Sequence, residues 1–147
     1  MRQTLSIFTL LATLLLVGCL GITQPSESDI HDMTEQHFNQ QLAGLFTATE
    51  ITKKNGYKDS DTHYIAEMHI LATAQQSLDE YASKLMQDKS LSAMEKLSHG
   101  MNLGLLKMTL PEFSAGDQIE FDRNYLFIKT DNGWMLKKEL QAEDLSN

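Results

Sequence analysis

Apolar and polar positions divide the chain into one unbroken apolar run and seven periodic segments. Leu5 to Val17 is apolar almost throughout and follows Met1 and Arg2. From Asp29 to Gln41, Ile30, Met33, His37 and Phe38 recur at spacings of three and four, with Leu42 continuing the stripe. That period predicts a helix, with Ser28 or Asp29 as its cap. Leu45 to Lys54 is rich in Thr and branched residues and predicts a strand. Asn55-Gly56 is a turn signal, extended by the polar stretch Lys58-Asp59-Ser60-Asp61. Thr62 to Thr73 then returns as a second strand. Alternation puts Tyr64, Ala66, Met68, Ile70 and Ala72 on its core face, and Ile65 and Leu71 on the other.

The second half repeats the grammar. Ser77 caps a helix whose stripe is Leu78, Tyr81, Ala82, Leu85 and Met86, with Asp79 and Glu80 at the favourable end of its dipole. A longer helix follows from about Ser90, and Ser92 and Glu95 have capping-box spacing. Leu91, Met94, Leu97, Met101, Leu105 and Met108 mark one face of it, and Pro111 stops it. Gln118 to Lys129 alternates, with Ile119, Phe121, Tyr125 and Phe127 on one side. Asn132-Gly133 is a hairpin signal, and Trp134 to Leu140 closes the pattern with Trp134, Leu136 and Leu140 in register. The order is helix, two strands, two helices, two strands. It predicts an α+β fold: a four-stranded antiparallel sheet made of two hairpins, with about three helices packed on one face.

The N-terminal run fits the roughly 7–15 apolar residues of a signal segment and is short of the roughly 20 that span a membrane. It ends in Leu16-Val17-Gly18-Cys19, with the chain's single cysteine last. This motif resembles the lipobox of bacterial lipoproteins. The resemblance implies a diacylglyceryl group on the thiol of Cys19 and cleavage before that residue. Leu20, rather than Asp, after the cysteine implies sorting to the outer membrane, facing the periplasm. Extension of the apolar run through Ile22 leaves an uncleaved anchor helix as the alternative. The expected organisation is a signal peptide over 1–18, a lipidated cysteine and tether over 19–28, and one α+β domain over 29–147. A second, slighter resemblance lies in Tyr125-Leu126-Phe127-Ile128-Lys129 and Asn132-Gly133-Trp134-Met135-Leu136, which is similar to the last hairpin of small exported cystatin-like or NTF2-like domains. It implies a fold and carries no functional residue.

Composition narrows the partners. A formal charge of −8 repels phosphate backbones and anionic lipid, so nucleic acid is not an expected partner and membrane attachment falls to the lipid. With Cys19 alone, the domain has no internal disulfide and stands on its core. His63 and His69 share a strand face but lie about 20 Å apart, too far for one metal. His31 and His37 lie on different sides of a helix, and His31 with Glu35 makes only two ligands. Asp59-Ser60-Asp61 lacks the late Glu of a calcium loop and reads as a solvated turn. Gly-x-Ser-x-Gly, the P-loop and His-Glu-x-x-His are absent from the sequence.

No catalytic residue, metal ligand or cofactor is expected. Met94, Met101 and Met108 serve either as core filling, the commoner use, or as an adaptable surface. Gly100 and Gly104 are expected to allow close packing within the domain, with a partner-docking groove as the alternative. The expected function is that of a lipid-anchored, non-catalytic module that binds or supports another envelope protein. The alternative is a small-molecule carrier with a pocket between sheet and helices.

Overall fold

The computed structural model describes residues 24–145. Its elements are α1 (Glu27–Gln41), β1 (Phe46–Lys58), β2 (His63–Ala74), α2 (Leu78–Gln87), α3 (Ala93–Thr109), β3 (Gln118–Thr130) and β4 (Gly133–Leu140). The strands form one antiparallel sheet in the order β1-β2-β3-β4. The fold is thus α+β, as the periodicity predicts.

Each helix opens on the same device. Ser26, Ser77 and Ser92 accept the backbone N–H of Asp29, Glu80 and Glu95, whose carboxylates accept the serine N–H in return. These boxes satisfy donors that a helix start otherwise leaves without partners. α1 begins two residues before the sequence reading puts it. Ser26, not Ser28 or Asp29, is its cap, and Pro25 before it is already buried.

β2 and β3 supply the centre of the core. Tyr64, Ala66, Met68, Ile70 and Ala72 pair in turn with Phe127, Tyr125, Arg123, Phe121 and Ile119. α1 lays Ile30, Thr34 and Phe38 on this face at four-residue intervals. Phe121 is the hub of the ring contacts: its centroid lies 5.1 Å from that of Phe38 and 5.2 Å from that of Phe46. Phe46 in turn meets Phe113 at 4.9 Å. Leu78 and Tyr81 of α2 and Leu106 of α3 pack against the same cluster, so all three helices cover one side of the sheet.

Two local readings are corrected. Asn55-Gly56 is not a turn. β1 runs through it, and the reversal falls at Asp59 and Ser60, whose N–H groups donate to the His63 carbonyl at 3.0 and 3.2 Å. Gly56 is needed for a close approach instead. A Cβ placed there would lie 2.8 Å from Cζ of the Tyr64 ring. Bulges between Ala48 and Glu50 and between Lys53 and Asn55 lengthen and twist this edge strand. In β4, Leu140 does not share a side with Trp134 and Leu136. A bulge opposite Leu126 and Phe127 shifts the alternation, pairing Glu139 with Tyr125 and Leu140 with Asn124. The core face thereby receives Glu139. The Asn132-Gly133 turn is where the sequence puts it, with Gly133 at φ +111°.

Candidate functional site

α2 and α3 form a helical hairpin beyond the C-terminal end of α1. Its position follows from the chain: Ala74 ends β2 beside Phe46, and the Gln75 N–H donates to the Leu45 carbonyl at 2.8 Å. Two lysines fasten α3 to α2. Lys96 Nζ donates to the Met86 carbonyl at 2.8 Å, and Lys107 Nζ lies 3.2 Å from the Asp79 carboxylate. Leu103, 8% exposed, and the half-buried Leu106 and Leu110 turn inward.

The outward side of α3 is also apolar. Met94, Leu97, Met101, Leu105 and Met108 are 61–83% exposed. At about 100° per residue, their midline lies roughly 170° from that of Leu103, Leu106 and Leu110. Of the two uses that the sequence leaves open for Met94, Met101 and Met108, the commoner one, core filling, does not apply: they face outward. The sequence carries two apolar stripes on one helix, and the leucine stripe is the one that meets the sheet. Gly104 has no atom within 4 Å of a built Cβ, and Gly100 has only the Met86 methyl at 3.5 Å. Gly100 thus packs against α2 through Met86, whereas Gly104 is not in close contact inside the domain.

Between the hairpin and the sheet lies a cleft of about 510 Å³. Tyr81, Leu85, His99 and Leu106 line it beside Arg123 and Glu139. The Arg123 and Glu139 side chains pair at 3.1 Å, and the guanidinium stands over Phe121 at 5.2 Å from the ring centroid. Burial, reinforced by the Glu139 charge and opposed by Arg123, pushes the neighbouring Tyr125 phenol well above its ordinary range. The pair owes its place to the β4 bulge. Its partners are 16 positions apart in sequence, and no periodicity links them.

The remaining polar candidates are dispersed. His69 Nδ1 lies 2.8 Å from Asp122, and His63 Nδ1 meets the hydroxyls of Ser60 and Thr62 at 2.9 and 3.0 Å. His31 touches Asp32 at 3.2 Å, and the His37 ring meets the Tyr125 ring edgewise. Asp61 is held by Lys58 at 2.6 Å, which keeps its carboxyl below the usual range. Among the described residues, no three His, Cys, Asp or Glu side chains gather as a metal would need. None of the described helices is long and apolar enough to cross a membrane. Leu16, Val17, Gly18 and Cys19 lie outside the described residues.

Compared with protein-family models, with curated proteins and with solved structures, the chain finds no match.

Proposed function

We propose that this protein is a lipid-anchored, non-catalytic envelope module that docks another protein through the outward face of α3. The exposed methionine–leucine stripe is the observation that carries this reading. Met86, itself 46% exposed, stands beside it, and contiguous exposed apolar side chains of this kind mark interaction sites on soluble proteins. Methionine suits such a face because its unbranched, polarisable side chain adapts to the surface it meets.

The anchor reading rests on Leu16-Val17-Gly18-Cys19, with lipid on Cys19 holding the protein at the outer membrane on its periplasmic side. Leu20 to Pro25 would then be the tether, about 20 Å when extended. It enters the domain at the start of α1. That helix, about 22 Å long, separates the tether from the α2–α3 hairpin.

A photocrosslinking residue at position 101 of the full chain, activated in intact cells, tests the docking reading. Capture of protein at 101, lost when Leu97→Glu is added, is expected. No adduct from 94, 101 or 105 overturns it. For the anchor, Cys19→Ser is expected to leave an unprocessed, unlipidated precursor, and normal processing of that variant would refute lipidation.

The second reading is a carrier of a small apolar molecule. It is favoured by the 510 Å³ cleft, whose volume falls within the range of ordinary ligand sites. Mass spectrometry of the natively purified protein under non-denaturing conditions separates the two. A co-purifying small molecule displaced by Leu106→Trp supports the carrier.

A further inference from the structure

We infer that the outward face of α3 is built to pair with the same face of a second copy of this chain, the two helices running antiparallel. The inference rests on the docking reading above and names its occupant.

The stripe is a palindrome. Counted from Met101, its members stand at −7, −4, 0, +4 and +7, and they read Met, Leu, Met, Leu, Met in either direction. Within α3, an antiparallel two-fold axis sets the residue at −n against the one at +n, so this symmetry puts Met on Met and Leu on Leu along the whole helix. With the axis at Met101, Met94 of each copy faces Met108 of the other, Leu97 faces Leu105, and Met101 faces itself.

Charge points the same way. The chain carries −8, so two copies repel over most of their surfaces. Among the described residues of α3, none with a charge falls within a quarter turn of the stripe's midline, taking about 100° per residue. Lys96 and Lys107 are drawn to the inner side by Met86 and Asp79. Glu95 lies outside that arc and is tied to Ser92. The face is therefore neutral ground on an acidic molecule. It lacks the basic flanks by which a surface helix binds anionic lipid.

Shape and size complete the fit. Gly104 lies on one flank of the stripe in each copy and has no other part of its own domain within 4 Å of a built Cβ. In an antiparallel pair these flanks fall on the same side and allow the helices to approach closely. The five stripe residues, 61–83% exposed, and Met86 beside them supply apolar area toward the ~800 Å² per partner of a stable interface. Confinement of tethered copies to one membrane would raise their effective concentration further.

Cysteine crosslinking of the full chain in intact cells tests this inference. The unsubstituted chain, which keeps Cys19, sets the background. Oxidised Met101→Cys is expected to give a reducible dimer, and Leu97→Glu in the same chain to lower its yield at least about tenfold. Chains carrying Met94→Cys and Met108→Cys are expected to crosslink to each other when co-expressed, and not when either is expressed alone. Self-crosslinking of Met94→Cys as strong as that of Met101→Cys marks a parallel pair and overturns the antiparallel assignment. Monomers throughout, with a protein of another mass still captured at 101 by the photocrosslinker, overturn the second copy and leave the docking reading standing. Monomers with no adduct overturn both.

Discussion

Gly56 shows how one residue sets a packing constraint that its usual meaning conceals. After Asn55 it reads as a turn, yet it sits in β1 under the ring of Tyr64, paired with Ala66. Gly56→Ala would force that buried ring to move, and overpacking of this kind costs about 1–3 kcal/mol. The expected outcome is a lower denaturation midpoint, partly restored by Tyr64→Phe in the same chain, since the phenol tip makes the nearest contact. An unchanged midpoint in Gly56→Ala would show that the ring has room. Tyr125 gives a second test. Its buried phenol binds its proton more tightly when folded, so the stability it contributes is intact below the ordinary value of 10.0 and declines as pH rises above it. Of the four tyrosines, Tyr125 is expected to keep its proton until the domain unfolds, as read in a spectroscopic titration. Ionisation of all four with secondary structure intact would contradict this.

Elements were legible in the sequence wherever one face of a segment is apolar and the other polar. β2 satisfies this: five of its six inward residues are the ones the alternation names, and the sixth, Ala74, lies just past the predicted end of the strand. β4 fails after Leu136 because a bulge changes the parity, and nothing in Lys137-Lys138-Glu139-Leu140 announces it. α3 fails for a different reason: it has apolar residues on both sides, and periodicity does not say which side meets the sheet. The signal was present in Leu103, Leu106 and Leu110, which the stripe through Met101 leaves unused. The two faces should therefore differ sharply on mutation. Leu103→Ala is expected to destabilise the domain by about 2 kcal/mol or more. Leu105→Ser is expected to change stability by no more than about 0.5 kcal/mol while weakening association. Urea unfolding of both variants measures the contrast, and equal losses would mean that the outward stripe is already covered within the domain.

For the whole molecule, the cysteine count and the net charge constrain what the elements build. With one cysteine in the chain, no disulfide braces the domain, and stability rests on the sheet core and three capped helices. The charge of −8 makes self-association a contest between apolar contact and long-range repulsion. Salt separates these contributions. Raising ionic strength from about 0.02 to 0.15 M shortens the screening length from roughly 20 to 8 Å, which weakens repulsion between like-charged copies and leaves apolar contact in place. Association through the α3 face should therefore tighten as salt rises. A basic partner would behave oppositely, because screening would remove the attraction that draws it to an acidic surface. Sedimentation of the detergent-solubilised protein across that range distinguishes them. A dimer that dissociates on adding salt would place charge, rather than the Met–Leu stripe, at the centre of the interaction.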